Sequence, residues 1–172
     1  MIRIDISKCT GCKRCESACA FFRTGRINNR LARIKVMNLY EIGIDGPVVC
    51  NQCQEGYCNC CPEDAITISS LGQVIVSPTR CTLCGACEQA CPVGAIEIFN
   101  DFVYVCDLCG GRPKCVEACT EGAITYDKEE QEHPSLAIFK KKAKKINPSQ
   151  KRYSYLKKLG FEVRKNWRKE HD

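Results

Sequence analysis

Four cysteines in one short run constrain this chain more than any other feature of its sequence. Cys81, Cys84, Cys87 and Cys91 follow the spacing C-x2-C-x2-C-x3-C, and Pro92 comes directly after them. Three cysteines this close share one tight loop, so each can bind a different iron of one [4Fe-4S] cubane. The fourth cysteine, near which a short helix is expected to start, binds a neighbouring cluster in two-cluster proteins with this spacing. The run therefore predicts a second half-site elsewhere in the chain.

Three further groups of four cysteines supply such half-sites. The first group repeats the spacing with Ala20 in place of the proline, and the last group has five residues between its second and third cysteines. Zinc sites are more typically built from separated C-x2-C pairs, so sixteen cysteines in four groups indicate four [4Fe-4S] clusters. The further candidate ligands are Cys9, Cys12, Cys15, Cys19, Cys50, Cys53, Cys58, Cys61, Cys106, Cys109, Cys115 and Cys119.

The group that begins at residue 50 has one cysteine too many. Its spacing is C-x2-C-x4-C-x2-C-P, and Cys60 lies between the last two candidates. Cys61 precedes a proline in the stretch CPEDAI, which matches CPVGAI at residues 91–96. We therefore predict Cys61 and Cys58 as ligands and Cys60 as a buried spare. The alternative, in which Cys60 binds in place of Cys58, stays open.

The high cysteine content, 17 of 172 residues, raises the question of compartment. The chain opens with a strand-like MIRIDIS rather than a cationic and apolar export signal. It has no apolar run of the length that a membrane span requires. We expect a cytoplasmic protein with no membrane span, whose cysteines stay reduced and bind metal rather than forming a disulfide framework.

Short hairpins are predicted between the cysteine groups. Residues 65–77 form one hairpin with a turn at 71–73, and residues 95–105 form another with a turn at Asn100-Asp101. In the insertion between the first two groups, turns are predicted at 27–29 and 45–47, with a strand over 31–36. The stretch AITY at 123–126 is a further strand. Motifs one and three share a spacing, which indicates an internal repeat.

The last part of the chain has a different character. Residues 134–172 hold 13 Lys and Arg against 3 Asp and Glu, and no cysteine. Tyr153, Leu156 and Leu159 recur at helical spacing, and Gly160 is a candidate cap of that helix. One interpretation is an amphipathic helix on its own body. The other, which we favour at this point, is an arm from Tyr153 to Trp167 that covers a larger partner protein. A nucleic-acid partner is disfavoured because no binding module accompanies the charge.

The cysteine motifs are not accompanied by residues arranged for acid–base or nucleophilic catalysis. The two histidines, His133 and His171, lie outside them, and the chain has neither a G-x-G-x-x-G fingerprint nor a P-loop. We therefore expect a protein that moves electrons and leaves catalysis to another subunit.

Residues 1–126 resemble the four-cluster iron–sulfur subunits of molybdenum and tungsten oxidoreductases. The resemblance is carried by CTGCKRCESAC, by RINNRLARIKV followed by CNQC, by CTLCGACEQACPVGAI and by CDLCGGRPKC. It is closest to the small subunits of tungsten aldehyde oxidoreductases and of the related benzoyl-CoA reductase. The family binds its clusters in a nested order. That order implies the ligand sets Cys9, Cys12, Cys15 and Cys119; Cys106, Cys109, Cys115 and Cys19; Cys81, Cys84, Cys87 and Cys61; and Cys50, Cys53, Cys58 and Cys91.

The resemblance also implies a fold and a function. The fold is α+β, a tandem bacterial-ferredoxin-like (poly-ferredoxin) fold with short hairpins and short helices around four cubane clusters, plus an extended helical C-terminal tail. Residues 1–126 form the four-cluster domain, in which 1–49 and 100–126 enclose 50–99, and residues 127–172 form a linker and basic arm. The expected partners are a large tungsten- or molybdenum-pterin catalytic subunit and, as second redox partner, ferredoxin or a flavin- or NAD-linked subunit. The alternatives are a free-standing polyferredoxin and the iron–sulfur subunit of a formate-dehydrogenase or DMSO-reductase-type molybdoenzyme.

Overall fold

The fold consists of short strands and helices that hold long cysteine-bearing loops. The computed structural model describes residues 1–129, 132–140 and 146–171. Short 3-10 turns lie beside or within several of these cysteine-bearing loops. The strands are β1 (Ile2–Ile4), β2 (Lys35–Leu39), β3 (Ile44–Val48), β4 (Ile66–Ile68), β5 (Val74–Val76), β6 (Glu97–Phe99), β7 (Phe102–Tyr104) and β8 (Ile124–Tyr126), and the helices are α1 (Arg14–Thr24), α2 (Ala86–Ala90), α3 (Lys114–Glu117) and α4 (Pro148–His171).

The strands pair into four separate two-stranded antiparallel sheets. β2 pairs with β3, β4 with β5 and β6 with β7 as hairpins, whereas β1 pairs with β8 across almost the whole body. In that long-range pair Ile2 lies opposite Tyr126 and Ile4 lies opposite Ile124. The closure brings the first and last cysteine groups together, with the two middle groups between them in sequence. A two-stranded sheet is marginally stable alone, so these hairpins depend on what they pack against.

The two hairpins predicted between cysteine groups are confirmed. The turn between β4 and β5 contains Gly72, which has a φ of 73°. The turn between β6 and β7 is formed by Asn100 and Asp101, with φ values of 47° and 60°. Both residues of a type I′ turn need positive φ, and asparagine and aspartate tolerate it better than most residues.

The predictions for the insertion were less accurate. Residues 45–47, predicted as a turn, lie inside β3, and the chain reverses at residues 40–43 instead. β3 tolerates Pro47 because it is an edge strand, which needs no backbone donor on its open side. The strand predicted over 31–36 begins only at Lys35, since a 3-10 turn occupies Asn29–Leu31.

The short helices begin earlier than predicted. α2 starts after Gly85, whose φ is 79°, and Cys91 is its C-cap. α1 starts after Lys13, whose φ is 61°, and Cys19 lies in its interior. In both cases a left-handed residue turns the chain, so the third cysteine already lies in the helix. The fourth cysteine of each group comes later: Cys91 follows α2, and Cys19 lies within α1.

Within the basic tail, α4 (Pro148–His171) is one long helix that packs on the body. Leu156 is fully buried and belongs to the larger core, together with Ile6, Leu39 and Ile44. Gly160 does not cap a helix; it is buried within α4, where an added Cβ would lie 2.8 Å from Ile42 Cδ1. The interpretation that this stretch covers only a partner protein is therefore wrong for the inner face of α4.

Candidate metal centres

The first candidate site joins the two ends of the body. Cys9, Cys12, Cys15 and Cys119 line one cavity. Cys15 lies in the first turn of α1, and Cys119 follows α3, which packs against α1. The pairing of β1 with β8 explains how cysteines more than one hundred residues apart come to share this cavity.

The second site adjoins the first, because Cys15 is a neighbour of Cys115. Burial raises the pKa of Cys115, and the nearby thiols of Cys106, Cys19 and Cys109 raise it further. Cys19 faces this group because it lies one turn beyond Cys15 on α1. Asp107 follows the first of these cysteines and is held by ion pairs with Arg23 and with Arg33, whose Nη1 lies 2.6 Å from Asp107 Oδ2.

The third site is also largely enclosed, since Cys58 and Cys91 are buried. Burial raises the pKa of Cys50 well above its ordinary value, and the thiols of Cys106, Cys91 and Cys58 act in the same direction. Burial also raises the pKa of Cys58 to about 12, with a contribution from Cys53. The structure therefore places Cys58 and Cys91 near Cys50, and Cys53 near Cys58. That these four bind one cluster, as the resemblance implies, stays a prediction.

The fourth site has Cys60 beside it, one of the two cysteines between which the sequence left the choice open. Burial raises the pKa of Cys87 to about 11, and the neighbouring thiols that raise it further are those of Cys60 and Cys81. Cys60 is exposed and not the buried spare predicted from the sequence. Cys58, in contrast, is buried and lies with the third site. The structure thus brings Cys60 towards the loop of residues 81–87, which was not one of the expected positions for it.

Each group ends with one cysteine, and in three of the four groups that last cysteine accepts a hydrogen bond from a backbone N–H. The backbone N–H of Arg33 donates to Cys19 Sγ at 3.3 Å. The N–H of Ala65 donates to Cys61 Sγ at 3.4 Å, and that of Ala95 donates to Cys91 Sγ at 3.3 Å. Such bonds stabilise a thiolate and influence the potential of a cluster that it holds. The geometric match between Cys61 and Cys91 supports their equivalence, which the matching CPEDAI and CPVGAI stretches indicated.

The buried thiols fit a ligand that carries its own positive charge. Burial raises the pKa of Cys15 and of Cys106 to about 12, so these thiols stay protonated in the metal-free chain. Iron binds the thiolate, and a bound metal removes the proton. Within the described ranges, no three His, Cys, Asp or Glu side chains converge as ligands of a single metal ion. A cubane has a different requirement, because each of its irons takes one thiolate.

The four sites follow one another through the body. Cys115 of the second site has Cys15 of the first among its neighbours. Cys50 of the third site neighbours Cys106 of the second. Cys58 of the third neighbours Cys87 of the fourth. These neighbours join the candidate sites pairwise in one order, in which the sites that begin at residues 9 and 81 come first and last.

Comparisons with known proteins support the binding of [4Fe-4S] clusters. Models of a 4Fe-4S binding domain match residues 1–27 and 74–97. The polyferredoxin-like subunit of an aliphatic sulfonate oxidoreductase from Pyrococcus furiosus is 43% identical over 124 residues, which cover 70% of this chain and 71% of the relative. An uncharacterized ferredoxin of Methanocaldococcus jannaschii is 35% identical, covering 84% of this chain and 95% of the relative. The beta subunit of an NADH-dependent phenylglyoxylate dehydrogenase from Aromatoleum evansii is 30% identical over 73% of this chain and 29% of its own length.

These relatives are ferredoxin-type electron-transfer proteins, which do not catalyse a reaction on their own. None of the helices in the described part of the chain is both long and apolar enough to cross a membrane. The chain belongs to the family of polyferredoxin-like [4Fe-4S] electron-transfer proteins.

Proposed function

We propose that this chain is the electron-transfer subunit of an oxidoreductase complex and carries four [4Fe-4S] clusters in a row. The observation that carries the proposal is that each cysteine group has a cysteine of the next group among its neighbours. When bound, clusters of this kind accept and release single electrons. The ligand sets are the nested ones: Cys9, Cys12, Cys15 and Cys119; Cys106, Cys109, Cys115 and Cys19; Cys50, Cys53, Cys58 and Cys91; and Cys81, Cys84, Cys87 and Cys61.

The exposure of the cysteines supports electron entry and exit at the two ends. Cys12 of the first site and Cys84 of the fourth are exposed, whereas Cys115 and Cys58 of the inner sites are buried. Buried thiols keep water away from the inner clusters, and exposed loops let a partner approach the outer ones. In this proposal residues 1–126 form the four-cluster domain, in which 1–49 and 100–126 enclose 50–99. Residues 127–172 form the linker and basic arm.

The partner in this proposal is a large catalytic subunit with a tungsten or molybdenum pterin. Two relatives are named as subunits of oxidoreductases, which supports a catalytic partner. The choice of a tungsten or molybdenum enzyme rests on the resemblance of the cysteine motifs. The second redox partner would be ferredoxin or a flavin- or NAD-linked subunit. The reduced cysteines favour a cytoplasmic location.

Native mass spectrometry of the protein, isolated without oxygen from its own cells, tests the proposal. We expect a complex with one larger subunit, and tungsten or molybdenum in the same fraction. A protein that runs alone with a full set of clusters, and without either metal, would contradict the proposed partnership.

One observation favours a second candidate, a free-standing polyferredoxin. The inner face of α4 is already covered by the body of the chain, through Tyr155, Leu156 and Leu159. The tail therefore needs no partner to bury these side chains. The same mass measurement separates the two functions.

A further inference from the structure

A lysine of α4 lies buried beside the loop that carries Cys91. The Lys151 side chain is only 6% exposed, and its Nζ donates to the backbone carbonyls of Glu88 at 2.9 Å and of Gln89 at 2.8 Å. These carbonyls belong to the last turn of α2, directly before Cys91. Cys91 is itself an electrostatic neighbour of the Lys151 ammonium. A positive charge is thus held next to a candidate ligand of the third site.

The start of α4 fits closely against the same loop. An added Cβ on Gly94 would overlap the carbonyl oxygen of Pro148, the first residue of α4. Arg152 Nη1 donates to the Gly94 carbonyl at 2.9 Å. On the next turn, Tyr155 Oη accepts a hydrogen bond of 3.0 Å from Asn51, the neighbour of Cys50. The first two turns of α4 therefore cover both chain segments that bring Cys50 and Cys91 into the third site.

The two buried cations of α4 differ in how their charge is balanced. Arg152 Nη1 lies 3.1 Å from Glu97 Oε2, so a carboxylate neutralises it. Lys151 donates to neutral carbonyls, and the ion pairs among the described residues do not include it. The carboxylate of Glu88 accepts a hydrogen bond of 2.7 Å from the Ile98 backbone N–H. The charged neighbours of the Lys151 ammonium are therefore Cys91 and, with a smaller effect, the Glu88 carboxylate.

We propose that the buried ammonium of Lys151 raises the reduction potential of the cluster held by Cys50, Cys53, Cys58 and Cys91. This inference rests on the proposed function, because it requires a cluster at that site. Reduction adds one negative charge to a cluster, and a nearby cation in a poorly hydrated setting stabilises the more negative state. The C-terminal helix then sets the reduction potential of one inner cluster, and this cluster differs in potential from the other three.

The test is a redox titration of full-length, cluster-loaded protein, followed by electron paramagnetic resonance. Lys151→Gln keeps hydrogen-bond donors for the two carbonyls but removes the charge, and Lys151→Arg keeps the charge. In Lys151→Gln we expect one cluster to become harder to reduce by on the order of tenfold, which is about 59 mV for one electron. Lys151→Arg should restore the potential. Lys165→Met is the matched control, since it removes one exposed charge from the same helix and should leave all potentials unchanged.

Iron analysis separates the possible failures. Wild-type protein without four clusters would contradict the proposed function itself. Lys151→Gln that carries the wild-type amount of iron, with unchanged potentials, would overturn this inference alone. If Lys151→Gln loses iron, Lys151→Met serves as the second neutral variant, because its side chain retains the apolar packing. A loaded Lys151→Met with wild-type potentials would equally overturn the inference.

Discussion

Replacing Leu156 by alanine tests whether α4 is part of the body. The Leu156 side chain is 0% exposed and lies against β3, where an added Cβ on Gly46 would come within 2.5 Å of Leu156 Cδ1. The substitution removes three carbon atoms, which at about 0.8 kcal/mol each amounts to about 2.4 kcal/mol of lost burial. The cavity left behind adds to this loss, so we expect a total of about 3 kcal/mol. For a chain of this size that corresponds to a fall in Tm of about 6–12 °C.

The assay is thermal unfolding under anaerobic conditions, followed by circular dichroism and by the visible absorbance of the clusters. Proteins with bound cofactors often unfold irreversibly, so all variants must be compared at one scan rate. Phe161→Ala is the matched control, because Phe161 is on the same helix but is 52% exposed. We expect it to change stability by less than about 0.5 kcal/mol. Equal shifts for the two variants would refute the packing of α4 on the body.

Two further substitutions test the candidate sites and the start of α4. We expect Cys60→Ala to retain all four clusters and Cys61→Ala to lose one, as iron analysis would show; the reverse result would make Cys60 the ligand. Gly94→Ala should expose α4 to limited proteolysis, because its Cβ would overlap Pro148. Gly122→Ala should not, because Gly122 has a similar positive φ and an added Cβ there would have no atom within 4 Å.

Local patterns in the sequence were sufficient to predict the hairpins within residues 65–77 and 95–105. Asn100 and Asp101 specify their turn chemically, and the prediction was therefore correct. The extent of α4 was not predictable in this way. Gly160 resembles a helix cap in sequence, but it lies inside α4, where Ile42 packs in the place of a side chain. That contact joins residues far apart in the chain, so a local sequence pattern does not predict it.

The same limit applies to the buried cations of α4. A lysine-rich tail predicts solvated charge, since an isolated buried ammonium is costly. Lys151 is buried because the carbonyls at the end of α2 accept its hydrogen bonds. This partnership depends on the tertiary fold. The crossing of the cysteine groups is a prediction of the resemblance to a known family, because spacing alone does not say which loop the fourth cysteine meets.

The central claim, that the chain holds four [4Fe-4S] clusters, is tested most directly by counting iron and acid-labile sulfide in protein purified without oxygen. Four cubanes require about sixteen iron and about sixteen sulfide per chain. That result would agree with four complete cysteine sites. About twelve of each would mean that one site fails to form, and zinc as the main metal would contradict the account.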